Sequence, residues 1–197
     1  MSLVSLQEPL SQFCEVFAEA CAAGIENPNA MTVSTVDSAN RPRSRVVLLK
    51  DHDERGFVFY TNLNSTKGRH LTQNQNVCLN FYWRELNKQI IIEGTAEQVS
   101  EQEADEYFAT RPRTSQLGAW ASKQSQPLKS QAHLLAEVAK FEAMYLARKI
   151  PRPPHWSGFR VVPHYFEFWK AGTFRLHDRV AYELEDDNHW KKVRLNP

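Results

Sequence analysis

The densest run of residues able to do chemistry is Glu167-Phe168-Trp169-Lys170-Ala171-Gly172-Thr173-Phe174-Arg175-Leu176-His177-Asp178-Arg179-Val180. Arginine is a permanent cation with a planar fork of donors, and histidine exchanges protons near neutral pH. As strand, turn and strand with Ala171-Gly172 at the bend, the run puts Arg175, His177 and Arg179 on one face. Leu176, Asp178 and Val180 then point to the other. Three potential cations on one face repel each other unless an anion sits among them. Two readings fit: the solvated face of an edge strand, or a site for a phosphorylated or carboxylated aromatic ligand with Trp169 as its flat neighbour.

Other cations stand in patterns of their own. Arg45-Val46-Val47-Leu48-Leu49-Lys50 lies in a strand expected from Ser44 to Lys50. Five residues separate its two cations, so a regular strand sends them to opposite faces and one small anion cannot bridge them. Ser65 is placed to cap a helix running to Gln73, and with Lys67 it offers either an ordinary cap or a phosphate cradle. Arg111-Pro112-Arg113-Thr114-Ser115-Gln116 is expected to stop a helix and present its guanidiniums and hydroxyls from an irregular segment. Gly118-Ala119-Trp120-Ala121-Ser122-Lys123-Gln124-Ser125 follows, with small residues that admit another backbone closely.

The elements that must position these groups read mostly as strands. Met31–Val36, Phe57–Thr61, Gly158–Val162, Tyr165–Trp169, Arg175–Leu184 and Trp190–Leu195 alternate or are β-branched and aromatic. Val77–Trp83 and Gln89–Val99 form a hairpin pair, and the run Ile90-Ile91-Ile92 implies burial on both faces. Helices are expected from Pro9 to Gly24, from the Ser100–Glu103 capping box to about Thr110, and from Ser130 to Ala147. Leu134, Val138, Phe141 and Tyr145 form a stripe on the last, as core or as subunit interface. Cys14 and Cys21 share a helix face and are expected to be buried. The fold expected is mainly β with peripheral helices (α+β), a closed or half-closed barrel in a single domain over residues 1–197.

Composition narrows the function classes. Over 197 residues the net charge is +1, with 42% hydrophobic and 24% charged residues. That gives no global electrostatic case for nucleic acid or a membrane surface. The three cysteines lack metal-ligand spacing, so no metal is expected, and they point to a reducing compartment. With no apolar run of spanning length and no signal-peptide pattern, a cytoplasmic location is expected.

Arg45-Val-Val-Leu-Leu-Lys50, Phe59-Tyr-Thr-Asn62, Arg111-Pro-Arg-Thr-Ser-Gln116, Gly118-Ala-Trp-Ala-Ser-Lys-Gln-Ser125, Pro151-Arg-Pro-Pro154 and Arg175-Leu-His-Asp-Arg179 together closely resemble the pyridoxamine 5′-phosphate oxidase family, in register from about Asn29 to Pro197. The resemblance implies a homodimeric FMN-binding split β-barrel with the cofactor between subunits. It implies oxidation of pyridoxamine or pyridoxine 5′-phosphate to pyridoxal 5′-phosphate, with molecular oxygen as acceptor and hydrogen peroxide as product. It puts FMN against Arg45, Val46, Val47, Leu48, Leu49 and Lys50, with Tyr60, Thr61, Thr66, Lys67, Gln89, Gln124, Ser125, Trp169 and Arg179. The substrate phosphate falls to Lys50, Tyr107, Arg111 and Ser115, and Arg175, Leu176 and His177 meet the reacting end, with Arg175 and His177 as catalytic residues. Arg45 and Lys50 on opposite faces would then serve two phosphates. The other reading is a flavin- or pyridoxal-phosphate-binding barrel without oxidase activity.

Three positions depart from the family's pattern. Thr66 stands where many members carry Arg, and Arg84 follows Trp83 where Pro is usual. Many relatives also carry an N-terminal segment with Arg and Tyr that covers the site. Residues 1–8 here contain no basic residue, so that lid is expected to be absent or replaced.

Overall fold

The structure is a computed structural model that describes residues 7–187 and 189–197. The expectation about an N-terminal lid falls largely on residues 1–6, outside the described residues. Among the described residues nine strands form one antiparallel sheet. They are β1 (Ala30–Val36), β2 (Pro42–Leu48), β3 (Asp51–Asp53), β4 (Gly56–Asn62), β5 (Asn76–Trp83), β6 (Lys88–Gln98), β7 (Trp156–Lys170), β8 (Asp178–Leu184) and β9 (Trp190–Arg194). Their order is β2-β1-β5-β6-β7-β4-β3, with β8 on β7 and β9 on β8. The mainly β architecture with helices outside it is the one expected.

Strand β7 organises the sheet. One edge pairs with β6 along its length, while the other takes β4 against Trp156–Val161 and β8 against Tyr165–Lys170. The sequence suggests two strands here, Gly158–Val162 and Tyr165–Trp169, interrupted by Pro163. They are one strand, because the register slips opposite Glu93 and Gly94 and leaves His164 as a bulge. A proline without an N–H is tolerated beside such a bulge.

Helix α1 (Gln7–Ala22) closes the core, with Phe13 and Ala20 fully buried. The Phe13 ring meets Phe57 and Phe81 edge-on at 4.8 and 5.3 Å. Burying such a ring contributes roughly 1.5–3 kcal/mol. Cys14 and Cys21 are exposed, contrary to expectation. The stripe facing the sheet runs through Leu10, Phe13, Phe17 and Ala20, and the cysteines lie on its outer flank, each about 100° further round than the fully buried residue before it, Phe13 or Ala20. Ile90 and Ile92 are buried as expected, but Ile91 is half-exposed on the other face of the sheet, where Val46 and Tyr82 are exposed.

The remaining helices are α2 (Thr66–Gln73), α3 (Glu101–Thr110), α4 (Arg113–Ala121) and α5 (Gln131–Met144). Ser65 caps α2 and Ser100 makes the full capping box of α3 with Glu103, both as read from sequence. The segment Arg111–Gln116 is not irregular: α4 starts at Arg113, one residue after Pro112 with φ −52°. Val138 and Phe141 on α5, with Tyr145 just past its end, pack against a second small core of Phe108, Leu117, Ile150 and Trp156. Among the described residues no helix is long and apolar enough to cross a membrane.

Candidate active site

A cavity of about 490 Å³ opens where the end of β2, strand β4 and helices α2, α3 and α4 converge. It brings together Lys50, Lys67, Tyr107, Arg111, Ser115 and Gln124. Val46, Val47, Leu48, Tyr60 and Thr61 also line it. Eleven predicted site residues thus meet in one space of small-molecule size.

One end of the cavity is built around Lys67. Its Nζ donates to Thr61 Oγ1 at 3.0 Å and to Gln124 Oε1 at 3.1 Å. Burial, and then the nearby Arg45 charge, bring the Lys67 pKa down to about 8. Neutral acceptors alone do not compensate a buried cation, so this group is complete only with an anion beside it. Helix α2 supplies the setting: Ser65 is fully buried and its Oγ accepts from Gly68 N–H at 3.2 Å. Gly68 is obligatory, since a Cβ there would lie 2.2 Å from the Leu63 carbonyl oxygen. Arg45 is not among the lining residues, but it is close enough to this end for its charge to act on Lys67. Its Nη1 donates to Val33 O at 3.1 Å and Thr35 Oγ1 at 2.7 Å. Burial, then Arg43, hold its pKa below the ordinary arginine value.

The other end is built around Arg111, whose guanidinium carbon lies 4.7 Å from the centre of the Trp156 ring. Its Nη1 is buried with no hydrogen-bond partner. An unpaired buried guanidinium nitrogen beside Lys50, Ser115 and Tyr107 is again a place for an anion. Tyr60 stacks on Tyr107 at 4.0 Å and on Trp156 at 5.3 Å, which fixes the wall that Arg111 lies against. Gly158 permits this, because a Cβ there would come within 2.8 Å of the Tyr60 ring. Burial pushes the Tyr60 phenol up to about 12, so it stays a protonated donor.

The C-terminal run is arranged differently from expectation. Strand β8 begins at Asp178, and Thr173–Arg175 form a tight turn with Phe174 and Arg175 left-handed at φ 57° and 64°. Arg175, His177 and Arg179 therefore do not share a strand face. Gly172 allows the tight turn, since a Cβ there would lie 1.8 Å from Leu176 O. Its N–H donates to His177 Nδ1 at 3.2 Å, and the imidazole sits 4.8 Å from the Trp169 ring. Phe174 and Leu176, flanking Arg175, are 90% and 69% exposed. Gln89, Trp169 and Arg179 are direct register partners across β6, β7 and β8 and stand in a row. Arg179 is gripped by Glu167 at 2.8 and 3.0 Å and by Asn196 O at 2.9 Å.

None of Gln89, Trp169, Arg175, Leu176, His177 or Arg179 lines the cavity around Lys67 and Arg111. Within one chain the predicted site residues form two separate groups. Of the others, Leu49 has its side chain in the core, Thr66 opens α2 outside the lining, and Ser125 is exposed at φ 69°. Lys50 lies past the end of β2, so strand alternation does not set its direction relative to Arg45. Arg84 lies exposed in the turn Arg84–Leu86 and does not reach the cavity. Trp156, Asn62 and Ser122 line the cavity without having been singled out as site residues. Asn62 was legible, two residues from Tyr60 on the same strand face; nothing in the sequence marked Trp156 as the platform for Arg111. A larger groove of about 840 Å³ near Arg152 carries less chemistry, because Glu101 and Asp105 already neutralise that arginine.

Residues 17–145 match the family described as pyridoxamine 5′-phosphate oxidase, and residues 156–197 match the pyridoxine 5′-phosphate oxidase C-terminal dimerisation region. The pyridoxine/pyridoxamine 5′-phosphate oxidase of Rubrobacter xylanophilus is 50% identical over 190 residues, covering 96% of this chain and 87% of that protein. The protein of the same name from Myxococcus xanthus is 52% identical over 190 residues, covering 96% and 92%. Among solved structures, PhzG from Burkholderia lata in complex with tetrahydrophenazine-1-carboxylic acid has a TM-score of 0.91 at 37% identity, over 96% of this chain and 93% of that one. A pyridoxamine 5′-phosphate oxidase-related, FMN binding protein from Nostoc punctiforme shares the fold, with a TM-score of 0.76 at 15% identity over 100% of both chains. The split barrel, the converging cations and these likenesses agree, and the chain belongs to the pyridoxamine 5′-phosphate oxidase family of oxidoreductases.

Proposed function

We propose that the protein is an FMN-dependent oxidase of pyridoxamine 5′-phosphate or pyridoxine 5′-phosphate, working as a cytoplasmic homodimer. The observation that carries this reading is the pair of anion places in one cavity, Lys67 with Thr61 and Gln124 at one end and Arg111 over Trp156 at the other. Two phosphates, one on the cofactor and one on the substrate, satisfy both. Lys67, Thr61 and Gln124, with Arg45 nearby, would hold the FMN phosphate. When bound, FMN would supply two-electron redox chemistry at the substrate carbon that bears the amine or hydroxyl, with oxygen as final acceptor and hydrogen peroxide as product.

The chain's own residues bind and orient. Lys50, Tyr107, Arg111 and Ser115 hold the substrate phosphate far from the reacting carbon, so that binding energy is used for positioning. Arg175, Leu176 and His177, and the row Gln89, Trp169 and Arg179, complete the site from a second copy of the chain, since they do not line their own cavity. His177 Nδ1 accepts from Gly172 N–H, which leaves the ring proton on Nε2 to be donated toward substrate. The likeness to PhzG supports a second reading, in which an aromatic carboxylate replaces the phosphorylated substrate at Arg111.

Peroxide release from purified, FMN-loaded protein, measured with each phosphorylated vitamer, its unphosphorylated counterpart and a dihydroaromatic carboxylate, separates these readings. Several charged hydrogen bonds are at stake, so losing the phosphate should lower kcat/KM on the order of 100-fold or more. Equal efficiency without phosphate would refute the assignment of the Arg111 end. Turnover of the carboxylate alone would favour the second reading, and no turnover of any would leave a flavin-binding protein without oxidase activity.

A further inference from the structure

A chain of polar groups starts at the half-buried Arg45 and runs through buried Thr35 to helix α2. Arg45 Nη1 donates to Thr35 Oγ1 at 2.7 Å, and Thr35 Oγ1 lies 3.1 Å from His70 Nδ1. Thr35 is fully buried and His70 is 8% exposed. His70 sits one turn along α2 from Lys67, so the chain joins the edge of the sheet to the helix that carries the other cation of this end.

The protons in this chain can be placed by counting. A guanidinium only donates, so Thr35 must accept from Arg45. The threonine hydroxyl has one proton of its own, and among the described residues its only other hydrogen-bonding neighbour is His70 Nδ1. A fully buried hydroxyl proton without an acceptor costs about 1–3 kcal/mol. The network is satisfied in one arrangement: His70 carries its proton on Nε2, and Nδ1 accepts from Thr35. The hydroxyl oxygen then faces Arg45 as a fixed acceptor. With Nη1 held by Thr35 and Val33 O, Nε and Nη2 make no hydrogen bond among the described residues.

We infer that Thr35 and His70 are positioning residues for the cofactor phosphate: neutral His70, through the Thr35 hydroxyl, locks the Arg45 guanidinium so that its free edge is presented to the anion held by Lys67. This rests on the FMN reading above. Neither residue lines the cavity, and neither was singled out in the sequence, because Thr35 and His70 are 35 positions apart and meet only through the packing of α2 on β1.

The test compares two flavins that differ only in the phosphate. FMN and riboflavin are titrated by fluorescence quenching into wild type, Thr35→Val, Thr35→Ser, His70→Phe and His70→Gln, with a thermal melt of each variant. Loss of an oriented, charge-assisted hydrogen bond should weaken FMN about tenfold in Thr35→Val and His70→Phe and leave riboflavin within about twofold. Thr35→Ser, which keeps the hydroxyl, should restore the preference for FMN. Variants that lose FMN and riboflavin equally, or keep the wild-type ratio, would overturn the inference. Nitrogen NMR of wild type gives an answer that needs no variant: His70 Nδ1 should show the unprotonated, pyridine-type signal, and a protonated Nδ1 would refute the scheme. A wild type that binds FMN no better than riboflavin would instead defeat the cofactor reading itself.

Discussion

Lys67 is a cation held where charge is disfavoured, and its pH behaviour follows from that. In the ligand-free fold, burial brings its pKa from 10.5 down to about 8. Between those values the unfolded chain keeps a proton that the folded chain has released, so ligand-free stability rises with pH across that window. An anion beside Nζ reverses the preference, so above pH about 8 binding must take up a proton. FMN affinity should therefore fall by up to about tenfold per pH unit from pH 8 upward, while riboflavin affinity stays level. Fluorescence titrations from neutral pH to the mid-nines measure this, and equal slopes for the two flavins would refute it. His177 behaves differently, because its Nδ1 lone pair is occupied by Gly172 N–H and only Nε2–H is free. It is oriented as a donor through Nε2–H. His177→Asn keeps a donor, so kcat/KM should drop less than about tenfold with both limbs of the pH profile intact. Loss of a limb near neutrality would show proton transfer instead.

At the scale of elements, the Lys67 end depends on how closely α2 approaches the loop after β4. The approach is a backbone contact, with the place of a Cβ at Gly68 only 2.2 Å from Leu63 O. Backbone cannot swing aside as a side chain can, so Gly68→Ala must push α2 outward and carry Lys67 with it. Overpacking of this kind costs about 1–3 kcal/mol. A lower Tm together with weaker FMN binding is expected. Gly118 in α4 is the matched control, since nothing lies within 4 Å of the position its Cβ would take. There alanine should raise stability by about 0.5–1 kcal/mol through helix propensity. Thermal melts of the two variants moving in the same direction would contradict this reading of the helix contacts.

At the scale of the whole molecule, the cavity and the C-terminal run are separate groups of residues within one chain. The row Gln89, Trp169 and Arg179 and the turn with Arg175 lie in or beside the segment matching a dimerisation region, and none lines the chain's own cavity. A shared site has a distinctive consequence. Lys67→Met and Arg175→Leu should each be nearly inactive as homodimers. Unfolding and refolding them together should return about a quarter of wild-type activity, since random pairing makes half the dimers mixed and each mixed dimer has one intact site. A site formed within one chain would recover nothing, which would end the shared-site proposal.

The sequence by itself determined what is local. Alternation placed the β5–β6 hairpin, and hydroxyls three residues ahead of their backbone partners marked the caps at Ser65 and Ser100. The family was legible too, because its motifs are runs of neighbouring residues. Only the tertiary structure decided the rest. The turn at Phe174 and Arg175 takes a left-handed form held by Gly172 and His177, which strand periodicity cannot express. Pro112 leads into α4 instead of breaking the chain, and the packed face of α1 leaves both cysteines outside. The sorting of the cations into two groups, and the line from Arg45 through Thr35 to His70, depend on which elements pack together. Local spacing carries rotation about one strand or helix; it holds no information about the element across the gap.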